Sequence, residues 1–192
     1  IERIIDDPRS LTAEDYKEIT SRGEKMAQKL LSLVKISGEL GDFVPFVARD
    51  EILLSLLASF DKPYHFDHLM ERICKWDIPE LYTDYLVIAG KMHGKELFDR
   101  VVDMLEQGQI PPLEINAVLQ FFLAAYQADP EMRSRIAAVV DNKIKEMWDK
   151  AVEEDNSDTY LDTIVLTHTL LSMRDEELKK IAMANLPDDD DI

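Results

Sequence analysis

His65 and His68 stand three residues apart at a helix start, with Asp67, Glu71 and Cys74 close by. Two ligands at i and i+3 on one helical face suit Zn²⁺. Cys74 follows His68 by six residues, which rotates it well away from the histidine face. The plainer expectation is a pair of solvated or cap-region histidines. His93, within Lys91-Met92-His93-Gly94, fits a cation at a helix C-terminus. His168 shares a helix with Leu166, Leu170 and Leu171, so it is expected in a core or groove rather than as a general base. The sequence contains no Gly-x-Ser-x-Gly elbow, phosphate-cradling glycine loop or His-Glu-x-x-His helix. Carboxylates are too numerous to single out a catalytic pair. The expectation is therefore a protein that is not an enzyme, with no catalytic residue, cofactor or metal of its own.

The elements that position these residues read as helices. Apolar residues are 46% of the 192, enough to bury a core, and Gly is scarce at 6. The single Cys74 permits no intrachain disulfide and no cysteine metal cage. No apolar run approaches the roughly 20 residues of a membrane span. Thr12, followed by Ala-Glu-Asp, looks like an N-cap. Beyond it, Tyr16, Ile19, Gly23, Met26, Leu30 and Leu33 form a seam at steps of three and four, predicting one long helix to about Ser37. Shorter helices follow over 50–60, 66–76, 79–92, 95–107, 111–127, 130–153, 157–173 and 175–185, cut by proline and glycine. No segment sustains period-two alternation, so the predicted class is all-α. Residues 1–11 read as an irregular lead-in, 12–186 as one helical domain, and 187–192 as an acidic tail.

Charge is lopsided: 22 Lys and Arg against 39 Asp and Glu give −17. Such a field repels phosphate backbones and anionic membranes and favours a basic partner surface. Trp148, among Lys143, Lys145, Glu146, Asp149 and Lys150, is either core or a partner anchor. Trp76 takes the place that Gly108 fills one unit later, which suits a plug between repeats.

The units in question appear on overlay. Phe66-Asp67-x-Leu69-Met70-x-x-Ile73 matches Phe98-Asp99-x-Val101-Val102-x-x-Leu105 at an offset of 32, and Ile78-Pro79 recurs as Ile110-Pro111 at the same offset. A unit this short cannot bury its apolar face alone and must stack on neighbours. The expected object is a solenoid of antiparallel helix hairpins behind one long N-terminal helix.

Met104, Gly108, Pro111 and Leu119 stand at the spacings of the pentatricopeptide repeat (PPR) family, which the stretch from Pro79 to Leu123 resembles. Lys91–Gly94 resembles that family's turn between paired helices, and Glu96-Leu97-Phe98 the opening of its second helix. The resemblance implies organelle RNA binding, one base per repeat. Its base-sandwiching position maps onto Tyr82 and Glu114, its first specificity position onto Tyr85 and Ala117, and its closing position onto Glu80 and Pro112. Pro112 and Ala117 offer a base edge no side-chain hydrogen bond, and Glu114 places negative charge where a base would stack. Protein binding is therefore the expectation, with Tyr82, Tyr85, Glu114 and Trp148 as the partner-binding candidates. For the two tyrosines, packing between repeats is the other possibility.

A short PPR-like chain without RNA readout is also similar to the extra subunit attached to the catalytic head of ATP synthase in euglenozoan mitochondria. That likeness implies a matrix protein, its leader not visible, bound to a large mitochondrial complex through the ATP synthase α subunit. No nucleic acid, membrane insertion or homo-oligomer is expected. The alternative is an organelle RNA-binding PPR protein or a mitoribosomal subunit, for which Lys91, Lys95 and Arg100 supply the one modest basic cluster. The first helices of the hairpins, 80–91, 113–126 and 158–172, are expected to line a concave surface that is not positively charged.

Overall fold

The computed structural model describes residues 10–34, 43–74, 79–110, 115–154, 157–173 and 175–186. Among them every regular element is helical: α1 (Ala13–Thr20), α2 (Glu24–Leu31), α3 (Phe43–Ala58), α4 (Phe66–Ile73), α5 (Pro79–Glu106), α6 (Ile115–Ala128), a 3-10 turn (Pro130–Met132), α7 (Arg133–Glu154), α8 (Ser157–Ser172) and α9 (Glu176–Ala184). The protein is all-α. It divides into two compact units, 1–128 and 129–192, so the stretch 12–186 read as one domain is shared between both. Most of the lead-in and the acidic tail 187–192 lie outside the described residues.

Thr12 caps α1 in a reciprocal box with Asp15: the Asp15 amide donates to Thr12 Oγ1 at 3.2 Å, and the Thr12 amide donates to Asp15 Oδ2 at 2.8 Å. The long helix predicted from this cap is two helices. Thr20 and Ser21 turn their hydroxyls back onto the carbonyls of Tyr16 and Glu18, and Gly23 follows at φ +67°. That left-handed conformation strains a residue with a Cβ, so the break falls at the glycine.

The second departure is larger. Lys91–Gly94, expected as a hairpin turn, lies inside the continuous 28-residue α5. His93 is accordingly not a C-terminal cation. It is buried in mid-helix, and its Nε2 has no hydrogen-bond partner. Gly90 and Gly94, four residues apart, share a helical face. A Cβ at Gly90 would meet the Phe121 carbonyl oxygen at 2.3 Å, and one at Gly94 would meet the Ala125 Cβ at 2.4 Å. The two glycines therefore let the backbones of α5 and α6 approach closely, a use of small residues that needs no turn.

In the first unit α1 and α2 pack on each other and on α3, α3 packs on α5, and α5 on α6. The repeat spacing survives as burial: Phe66 and Leu69 of α4 are buried, as are Phe98 and Val101 of α5. α6 does not line a surface. Of its residues 117–126 all but Gln120 are buried, Ala117 included. An edge-to-face contact of Phe122 with Phe98 of α5 at 5.6 Å ties it in, worth about 0.5–1.5 kcal/mol beyond area burial.

In the second unit α7, α8 and α9 pack on one another. Asp129 opens it, accepting from the Glu131 amide at 2.9 Å. Ile136, Val140, Ile144, Met147 and Ala151 give α7 its buried seam at steps of three and four. Asp175 caps α9 by accepting from the amides of Glu177 and Leu178. At the other end the Asn185 amide donates to Asp141 Oδ1 at 2.7 Å and to the Ile181 carbonyl at 2.8 Å, which pins α9 to α7.

Candidate partner-binding surface

α8 shows little contrast between apolar and polar sides. Its buried face holds Thr163, Leu166, Thr167 and Leu170, none more than 3% exposed. Two of those four are polar. The Thr167 hydroxyl donates to the Thr163 carbonyl at 2.8 Å, which leaves mainly methyl surface to pack at Thr167. On the opposite face Leu161 is 59% exposed, Ile164 42% and Val165 60%, with exposed His168 continuing the row. At 3.6 residues per turn these four fall within an arc of roughly 100°. α8 thus buries threonines and presents aliphatics. Val152 on α7 and Met183 on α9 are also exposed apolar side chains of this unit.

The first unit holds an open groove of about 600 Å³ where α4 meets the C-terminal part of α5. Asp67, Glu71, Cys74, Arg100, Asp103 and Gln109 are among its lining residues, and Arg100 is ion-paired with Asp67. The metal alternative is not supported by placement. His68 is exposed, and His65 is a half-buried residue at φ +62° just before α4. Among the described residues no three His, Cys, Asp or Glu side chains are grouped to hold a metal ion.

Of the four partner-binding candidates, Tyr85 is 2% exposed and stacks on Phe66 with ring centroids 6.4 Å apart. Burial raises its phenol pKa. It packs inside the first unit and presents nothing to a partner, the packing option of the sequence reading. Trp148 is buried as well, in edge-to-face contact with Tyr160 at 5.2 Å, and its Nε1 has no hydrogen-bond partner. Core is its role here rather than surface anchor. The side chain of Tyr82, and Glu114 and Trp76 altogether, lie outside what is described. His168, expected in a core or groove, is exposed. Of the described candidates, Tyr85 belongs to the interior of the first unit and Trp148 to that of the second, and the aliphatic row of α8 was not among the candidates. Its sequence signal is weak, because the apolar residues of α8 fall on more than one side and do not say which side will be covered.

No protein-family model matches the chain, and no curated protein or solved structure matches it either. Among the described residues no helix is long and apolar enough to cross a membrane.

Proposed function

We propose that the protein is a non-catalytic helical subunit that binds another protein through the exposed face of α8. One observation carries this: Leu161, Ile164 and Val165 stand in solvent while Thr163 and Thr167 fill the interior. A helix selected only to complete its own unit gains by the opposite arrangement, since each aliphatic side chain fully buried is worth about 1.5–3 kcal/mol. Contiguous exposed aliphatics mark interaction sites. Consecutive helices that pack together, α5 with α6 and α7 with α8, support a stacked-hairpin architecture as part of this reading.

The family resemblance carried by the spacing of Met104, Gly108, Pro111 and Leu119 is what supports a mitochondrial assembly as the setting. The ATP synthase α subunit as partner rests on the further likeness to a short PPR-like subunit without RNA readout. The RNA-binding alternative needs a continuous basic stripe. Lys91, Lys95 and Arg100 are exposed on α5, but Arg100 is engaged by Asp67, and the chain as a whole is at −17.

The test is affinity purification of the tagged full chain from its source, comparing wild type with Ile164→Asp/Val165→Asp by quantitative mass spectrometry. A defined set of proteins retained by the wild type and lost by the double variant, at unchanged melting temperature, is the expected result. Retention of the same set by both refutes docking at α8.

A further inference from the structure

We infer that the element seated on α8 is an amphipathic helix with basic flanks belonging to a different protein, an inference that rests on the protein-binding reading above. The shape of the surface argues for a helix. Leu161, Ile164, Val165 and His168 follow the i, i+3, i+4, i+7 order along about two turns. This is the ridge spacing that accepts another helix, whose own apolar residues at the same intervals seat between them.

Charge argues for the sign of the flanks. The segment 149–162, which leads into the row, carries Asp149, Glu153, Glu154, Asp155, Asp158 and Asp162 against Lys150 alone, or 1 − 6 = −5. Further along, Asp188 to Asp191 add four more negative charges to the same unit. Residues 129–192 hold 8 Lys and Arg and 17 Asp and Glu, a net of −9 in one third of the chain. A lysine- or arginine-flanked helix is steered to a unit of this net charge, and like charge penalises acidic competitors. The same argument disfavours a second copy, which brings another −17 to the encounter.

Three fluorescent helical peptides titrated against the full chain by anisotropy decide the matter. The first has leucines at i, i+3, i+4 and i+7 with about six flanking lysines, the second keeps the leucines with glutamates in place of the lysines, and the third scrambles the leucines of the first. The expected order is tightest binding by the first, at least tenfold over either other, weakened by salt and at least tenfold weaker with Ile164→Asp/Val165→Asp. Equal binding of the glutamate peptide overturns the charge inference and leaves protein binding by α8 standing. Equal binding of the scrambled peptide overturns the helix inference. If no peptide binds and light scattering finds a dimer that the double variant lacks, the occupant is a second copy, and only this inference falls. If no peptide binds and the chain is monomeric, this inference falls, while the purification comparison still decides the protein-binding reading separately.

Discussion

Gly94→Ala sets two forces against each other. In a solvent-facing helix interior the change is favourable by roughly 1 kcal/mol, because alanine loses less backbone freedom on folding. Here the new methyl lands 2.4 Å from the Ala125 Cβ and 3.3 Å from its Cα. The first distance is about 1 Å short of the 3.5–4.0 Å at which carbon atoms attract. Overpacking of this kind costs about 1–3 kcal/mol, and the upper part of that range applies because the methyl is fixed to the α5 backbone and cannot turn aside. The expected net loss is therefore roughly 2 kcal/mol.

The offending atom on α6 is a side-chain methyl, so it can be removed. Ala125→Gly alone is expected to cost about 1.5 kcal/mol from helix propensity and one lost methyl. Independent effects would sum to about 3.5 kcal/mol in the double variant, whereas a relieved clash restores the gain from alanine and leaves it at roughly 0.5 kcal/mol. Urea unfolding followed by circular dichroism measures the cycle, and hydrogen exchange locates the loss within residues 1–128. Gly90→Ala is expected to be at least as damaging and beyond rescue, since the atom it meets is the Phe121 backbone carbonyl oxygen. A neutral or stabilising Gly94→Ala, or an Ala125→Gly that offsets nothing, refutes the close approach of α5 and α6. It would restore the expectation of a turn at Lys91–Gly94.

Tyr85→Ala should destabilise the first unit by about 3–5 kcal/mol, the range for a buried aromatic truncation, as a melting curve will show. Tyr85→Phe tests its ionisation. The folded phenol pKa is raised by burial while the unfolded chain releases its proton near pH 10, so stability present below about pH 10 drains away as pH climbs above it. The alkaline fall in stability should be shallower in Tyr85→Phe; an identical slope shows that Tyr85 does not carry it. Tyr16, raised in the same direction, leaves a remainder. Asp175→Ala removes the acceptor for two amides of α9 and should cost about 0.5–2 kcal/mol by urea unfolding. Ile164→Asp/Val165→Asp, on exposed positions, should shift stability by no more than about 0.5 kcal/mol per site.

Helix ends were legible wherever a local signal acts alone. Pro79 opens α5, Asp129-Pro130 precedes the turn before α7, and Asp175 caps α9, because each works through its own backbone geometry. Glycines were not legible in this way, since a glycine serves equally as a turn residue or as a contact surface. Gly23 takes a positive φ and breaks the seam that ran through it, while Gly90 and Gly94 stay helical and receive α6. Only the partner helix distinguishes the two uses. The offset-32 repeat illustrates the same limit: Phe66, Leu69, Phe98 and Val101 are buried, yet the turn it implied is absent.

The exposed row on α8 shows the same limit. Periodicity finds a buried face by contrast between apolar and polar sides, and α8 supplies almost none, because Thr163 and Thr167 replace aliphatics on the inner side. A threonine whose hydroxyl is bonded within its own helix packs much like a smaller aliphatic residue. The buried face of α8 thus takes two threonines beside Leu166 and Leu170, while Ile164 and Val165 of the same helix are left in solvent. Aromatic residues misled for the complementary reason. Tyr85 and Trp148 have the chemistry of interface anchors, but their area is equally valuable to a core, and both are spent there. The exposed row of α8 is aliphatic, the chemistry that the apolar side of the proposed amphipathic helix would meet.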